Sequence, residues 1–420
     1  MRRVAPALTA LLVLAACMRG SIVRQGRVDE DALAAVCTRL ETVRGLDFTR
    51  RVPARALDRE EMRAALEQEI RRSYMPGDFE RLQLVYGRLG LLPPGTDLEA
   101  GLRRLLDEEA AGFYDPRSKE LVLSTYALAA GGLRLRLLSF VTGRDFAGEF
   151  FLSHELTHAL QDQHYGIDTE PEPLTHAHGD RLLAERALLE GDATLTGFAY
   201  VVQEPLSAHT AAVVGPELGQ TATQLAARYP DVPEVLRASL AFQYVEGSAF
   251  VGDVLAAGGL PALDRAHRDP PASTAEVLHP QRYLSATRIR PAEVVLGGTE
   301  ALERDGWTLI VEDTLGELDV RLLAARALPA EGAARVGDGW AGDRLRAFAR
   351  GDTVVLVWMT VWDTPADAAE FADVVPRATT DAHVEQRDER VLVVLAPAGD
   401  VSVERLAGSV WAHTTVAKPS

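Results

Sequence analysis

His154-Glu155-Leu156-Thr157-His158 places two imidazoles and a carboxylate within five residues, in a segment that neither glycine nor proline interrupts from Glu149 to His164. On a helix of 3.6 residues per turn, positions i and i+4 lie about 40° apart, so both histidines can ligate one ion while Glu155 leans toward the same edge. This is the H-E-x-x-H zinc signature. Its chemistry is hydrolysis, in which the metal activates a water and the glutamate takes the proton. Phe150, Phe151, Leu156, Ala159 and Leu160 recur at helical spacing and would bury one side of the helix. The competing reading is a half-exposed helix with incidental histidines.

A catalytic zinc keeps three protein ligands and one open position, so a third ligand is needed downstream. Glu190 is the leading candidate. It lies in a second helical stretch, Asp180 to Gln203, flanked by Leu188, Leu189 and Ala193, where an unpaired carboxylate would be costly to bury. On one helix Glu185 lies about 140° and Asp192 about 200° from Glu190, so at most one of the three faces the ion. His164, His176 and His178, in the loop between the two stretches, are alternative third ligands.

His154-Glu155-Leu156-Thr157-His158-Ala159 followed by Asp162 resembles the zinc helix of thermolysin. Leu189-Glu190-Gly191-Asp192-Ala193 resembles the third-ligand segment of aminopeptidase-N-like enzymes. Both belong to the gluzincins, metallopeptidases with two His and one Glu on zinc. The resemblance covers the chain from about Gly112 to Leu284. It departs from the family in the 31 residues between His158 and Glu190, a longer gap than is usual. Tyr244-Val245-Glu246-Gly247 resembles the family's Tyr-x-x-Gly, which implies that Tyr244 donates to the tetrahedral oxyanion; a plain interfacial tyrosine is the alternative. His279, at the end of a short helix opened by Ser273 and Glu276 and stopped by Pro280, is a second candidate donor or a local packing residue.

The elements that must position these groups divide the chain. Periodicity predicts helices over Arg55–Arg72, Phe79–Gly90 and Asp97–Ala111, then two strands about Asp115-Pro116 with one covered face. These strands could offer an edge to an extended peptide, as gluzincins use the strand above their zinc helix. Helical patterns dominate from Phe146 to about Leu284, including Val235–Ala257. Strands are predicted at Trp307–Val311, Asp343–Ala349, Thr353–Trp362 and Arg390–Leu395, with helices at Gly316–Arg326, Pro365–Val375 and Val403–Trp411. The expected fold class is α+β: a mostly helical zincin-like domain over 18–290 with a small sheet, and a C-terminal α+β domain over 300–420.

Arg2 and Arg3 precede an apolar run, Val4–Ala16, too short to span a membrane, and Leu14-Ala15-Ala16-Cys17 resembles a bacterial lipoprotein cleavage site. Residues 1–17 are therefore expected to be a signal peptide and Cys17 a lipid anchor in the cell envelope, on its periplasmic or outer surface; a plain secretory peptide is the alternative. The net charge of −17 argues against nucleic acid and against a polybasic lipid-binding surface. Cys37, on the apolar face of Leu33, Val36, Leu40 and Val43, is expected to be a core thiol. The functional expectation is a zinc-dependent (Zn2+) hydrolase acting on a peptide or protein substrate. A surface lipoprotein with a structural zinc and a hydrolase of cell-wall amides are the alternatives.

Overall fold

The computed structural model describes residues 22–24, 26–109, 112–125 and 146–417, so the predicted leader and Cys17 lie outside the described residues. The fold is α+β. Hairpin β1–β2 (Val23–Arg24, Arg27–Val28) leads into α1 (Glu30–Arg44), β3 (Ala54–Leu57), α2 (Arg59–Ser73), α3 (Asp78–Arg88) and α4 (Leu98–Glu109). Strands β4 (Gly112–Asp115) and β5 (Glu120–Ser124) precede four long helices: α5 (Phe146–His164), α6 (Gly179–Val202), α7 (Ala208–Arg228) and α8 (Glu234–Arg268). Short helices α9 (Thr274–Leu278) and α10 (Pro280–Leu284), then β6 (Glu293–Val295) and α11 (Glu300–Arg304), cross to the C-terminal part. That part comprises β7 (Thr308–Asp313), α12 (Gly316–Ala325), α13 (Ala330–Asp338), β8 (Trp340–Arg350), β9 (Thr353–Trp362), α14 (Pro365–Ala378), β10 (Ala382–Arg387), β11 (Arg390–Leu395), α15 (Val403–His413) and β12 (Thr415–Ala417). Among the described residues no helix is long and apolar enough to cross a membrane.

Local chemistry explains where the elements depart from the periodicity. The helix expected from Arg55 starts at Arg59, because Asp58 accepts from the Glu60 and Glu61 amides while Glu61 reaches back to the Asp58 amide. Arg55 instead lies in β3, which pairs in parallel with β5. With β4 antiparallel on its other side, β5 is the central strand, and Leu121, Val122 and Leu123 are all buried rather than only one alternate set. Helix α8 runs past the expected end at Ala257: Gly258 and Gly259 leave helical geometry, Gly259 with φ of 63°, and the helix resumes to Arg268.

One core joins α1, α5, α6 and α8 through residues such as Leu40, Leu156, Leu160, Leu188, Leu195, Phe250 and Val251. Two further cores lie on the faces of an antiparallel sheet ordered β10-β11-β9-β8-β7. Trp358, Trp362, Leu345 and Val393 meet α12, α13 and α14 on one face, and Val85 and Leu89 around the end of α3 join them. On the other face Val355, Val357, Met359 and Val394 meet α15. Helix α3 thus contributes to the C-terminal core.

Helices α6 and α8 cross at glycine against glycine. A Cβ on Gly191 would lie 2.3 Å from the Gly247 carbonyl carbon, and one on Gly247 would lie 2.1 Å from the Ala187 oxygen. Only the missing side chains permit this approach. It sets Gly191, the residue after Glu190, against Gly247, one helical turn beyond Tyr244.

Candidate metal centre

Helices α5 and α6 bring His154, His158 and Glu190 together, with one ligand atom from each all lying within 4.8 Å of one another. Their separations are 3.2 Å between the two Nε2 atoms, 3.1 Å from His154 Nε2 to Glu190 Oε2, and 3.5 Å from His158 Nε2 to the same oxygen. Although Glu190 Oε2 is this close to two imidazoles, it is buried and has no partner in hydrogen-bonding geometry. A buried carboxylate oxygen left without a hydrogen bond beside two imidazole nitrogens suits a cation at their focus. Two imidazole nitrogens and one carboxylate oxygen are the donor set of a catalytic zinc.

The electrostatics of the cluster are mutually dependent. Burial opposes charge on His158, but the Glu190 carboxylate outweighs it and lifts the imidazole to about 9. Burial likewise opposes ionisation of Glu190, and His158 and His154 more than reverse it, holding this carboxyl far below the ordinary range. Glu155 goes the other way: burial raises it, with the two histidines pulling it back down. The two carboxylates are therefore driven apart in acidity, as a ligand and a base should be.

The general-base candidate is held from above. The Tyr114 N–H donates to Glu155 Oε2 at 2.8 Å. Tyr114 lies in β4, an edge strand of the sheet β3-β5-β4, and its side chain anchors the strand to α5, the phenol donating to Asp162 Oδ2 at 2.7 Å. Asp162 also accepts from Lys119 Nζ at 2.8 Å and from Arg50 Nη2 at 3.1 Å. One carboxylate thus ties the end of α5 to the β4–β5 turn and to the segment before β3.

Below the cluster lies a buried polar network with no counterpart in the sequence reading. His158 Nδ1 is 2.8 Å from Gln161 Oε1, and Gln161 Nε2 donates to Asp192 Oδ2 at 3.2 Å. Asp192 also accepts from Arg44 Nε at 2.9 Å, lies 2.8 Å from His267 Nε2, and is bonded by Thr196. Burial opposes ionisation of Asp192, and Arg44 and His267 outweigh it. Arg44 is 148 residues from Asp192, so no local pattern could have paired them. His267 sits beyond the Gly258-Gly259 break, on the stretch that was not predicted to continue the helix.

The remaining candidates separate. Tyr244 comes to the cluster, its ring 6.1 Å from that of His154 and within 22° of parallel. Helix α8, which carries Tyr244, reaches this place by crossing α6 at Gly247. His279 does not join the cluster: its Nε2 lies 2.9 Å from Glu317 Oε1, with Arg321 Nη2 3.5 Å away. Glu317 comes from the C-terminal part, and its pull on the imidazole makes His279 a residue of the seam between the two parts. That grouping of His279, Glu317 and Asp338 also contains Arg321, bonded to Glu317 and to Asp338 at 2.8 Å, so a cation already occupies it. Among the alternative histidines, His164, which ends α5 rather than lying in the loop, reaches the Asp47 carbonyl, His176 contacts Thr175, and burial and then Arg344 lower the basicity of His178. Glu185 pairs with Arg181 and Asp192 with Arg44, which leaves Glu190 as the acid of α6 that meets the histidines. Cys37 is partly buried against the main core, and burial pushes its thiol up to about 11.

A family model described as a domain of unknown function, DUF8575, matches residues 308–417, which spans β7 to β12 and excludes the metal cluster. No curated protein and no solved structure matches the chain.

Proposed function

We propose that this protein is a zinc-dependent peptidase. The observation that carries the reading is the convergence of His154, His158 and Glu190 beside a buried Glu155 whose position is fixed by an edge-strand amide. A structural zinc has no use for such a base, and it would ordinarily have four protein ligands rather than three. Zinc held by the three residues would supply the Lewis acid that acidifies a water and polarises the scissile carbonyl. Glu155 takes the proton of the attacking water and returns it to the leaving amine nitrogen, and its raised affinity for a proton suits both halves of that task. Tyr244, beside His154, is the donor to the carbonyl oxygen as it becomes negative. Strand β4, an edge strand among the described residues, favours an extended chain as substrate, because such a chain can add main-chain hydrogen bonds along a strand edge. The leader-like motif before Cys17 extends the proposal to an exported, lipid-anchored protein of the cell envelope.

Native mass spectrometry of the full chain is expected to show one zinc, lost in His158→Ala and in Glu190→Ala. Glu155→Gln should keep the zinc and the fold while abolishing hydrolysis of casein. Cleavage of peptidoglycan but not casein would move the reaction to cell-wall amides. Unchanged turnover in Glu155→Gln would remove the mechanism altogether.

A further inference from the structure

Gln161 is wholly buried one turn after His158, with one end of its amide on His158 and the other on the helix that carries Glu190. Its Oε1 lies 2.8 Å from His158 Nδ1. Its Nε2 donates to the Leu189 carbonyl at 3.0 Å and to Asp192 Oδ2 at 3.2 Å, groups one residue before and two residues after Glu190. The orientation of the amide is fixed by its partners. Turned over, it would set its own oxygen against a carbonyl and a carboxylate, both of which only accept. Because Oε1 also only accepts, the proton between it and the imidazole sits on Nδ1. Neutral His158 then carries its lone pair on Nε2, the nitrogen that faces His154 and Glu190.

We propose that Gln161 is a positioning residue of the metal centre, setting the tautomer of His158 and the spacing between the two helices that carry ligands. The proposal rests on the zinc reading above. Carboxylates commonly orient metal-bound imidazoles by direct contact; here Asp192 acts through an intervening amide, which lets one side chain serve a ligand on each helix. Asp192 is independently secured by Arg44, His267 and Thr196, so loss of Gln161 leaves the rest of the network standing.

The test compares full-length protein with Gln161→Met and Gln161→Leu, which fill similar volume without polar ends, and with Gln161→Glu, which restores an oxygen for the Nδ1 proton. The readouts are zinc affinity by competition with a chromophoric chelator, and the rise in melting temperature on adding zinc. The expected result is a zinc affinity about 10- to 100-fold weaker in the apolar variants, with a smaller zinc-induced rise in melting temperature and partial recovery in Gln161→Glu. Either apolar variant that folds serves. A glutamine that merely packs the helices would behave differently: the zinc-free protein would melt lower, affinity would stay at the parent value, and Gln161→Glu, with its added buried carboxyl beside Asp192, would be the worst of the set. Parent-like affinity in the apolar variants overturns the proposal while leaving the zinc reading intact. Failure of the parent itself to bind zinc overturns both.

Discussion

At the scale of single residues, the proposed ligands and the proposed base face different partners. His154, His158 and Glu190 point at one another, whereas Glu155, next in sequence to His154, is turned to the Tyr114 amide. Tyr244 is the remaining reactive candidate, and its hydroxyl can be tested apart from its ring. If the phenol stabilises charge that exists only in the transition state, Tyr244→Phe lowers kcat by about 10²-fold or more while KM and zinc content hold. Steady-state kinetics on a defined peptide, with zinc measured on the same samples, decides it. An unchanged kcat would reduce Tyr244 to a stacking partner of His154. The sequence offered His279 as a second donor because of its helix-end position, but its imidazole is taken by Glu317, a contact 38 residues away that no local pattern announces.

At the scale of elements, the helix crossing between α6 and α8 governs where Glu190 and Tyr244 stand relative to each other. Gly247→Ala would place a methyl 2.1 Å from the Ala187 oxygen, and backbone cannot yield as a side chain can. The helices must part, at a cost of about 1–3 kcal/mol for overpacking of this kind. Urea unfolding should register that loss, and zinc affinity should fall with it, because Ala187 lies on the same helix as Glu190. Stability lost without any change in zinc affinity would mean that the crossing does not set the ligand geometry. Much of this architecture was legible. Long uninterrupted periodicity gave α5 and α6 within a few residues, and the resemblance at Tyr244-Val245-Glu246-Gly247 marked a helix whose tyrosine comes beside His154. What escaped were features decided by tertiary partners. Strand β10 carries His383, Glu385 and Arg387 and is stabilised by pairing with β11 rather than by alternation. Helix α13 is short and rich in alanine and glycine, and its burial against the C-terminal core supplies what its composition does not. The network through Gln161 joins residues far apart in sequence, so its chemistry appears only once the helices are packed.

At the scale of the whole molecule, the C-terminal part grips the beginning of the helix that carries Glu190. Asp313 Oδ1 accepts from the Gly179 amide at 2.7 Å, Glu312 and Thr314 supply carbonyls to Ala177 and Asp180, and Arg344 donates to the Ala177 carbonyl. Asp180 in turn accepts from the Thr274 amide and hydroxyl. Acids accumulate along this seam: Asp180, Asp313, Asp319 and Asp343 are all pushed up by burial, Asp313 to about 6 and Asp319 to about 7. Asp319 faces Asp313 and Asp343, whose charges raise it further, and the Tyr86 hydroxyl at 3.4 Å. A carboxyl raised in the folded state keeps a proton that the unfolded chain releases near its ordinary value of about 4. Its contribution to stability is therefore full below about pH 4, drains as pH climbs toward 7, and stays lost above that. Asp319→Asn mimics the protonated form and keeps an oxygen for Tyr86. It should leave the melting temperature near the parent value at pH 4 and raise it by about 2 °C or more at pH 8. Thermal melts of both proteins at the two pH values test this directly. A loss at both would mean that the Asp319 carboxylate itself, and not its proton, holds the seam together, and the C-terminal part would then bind the ligand helix through charge rather than in spite of it.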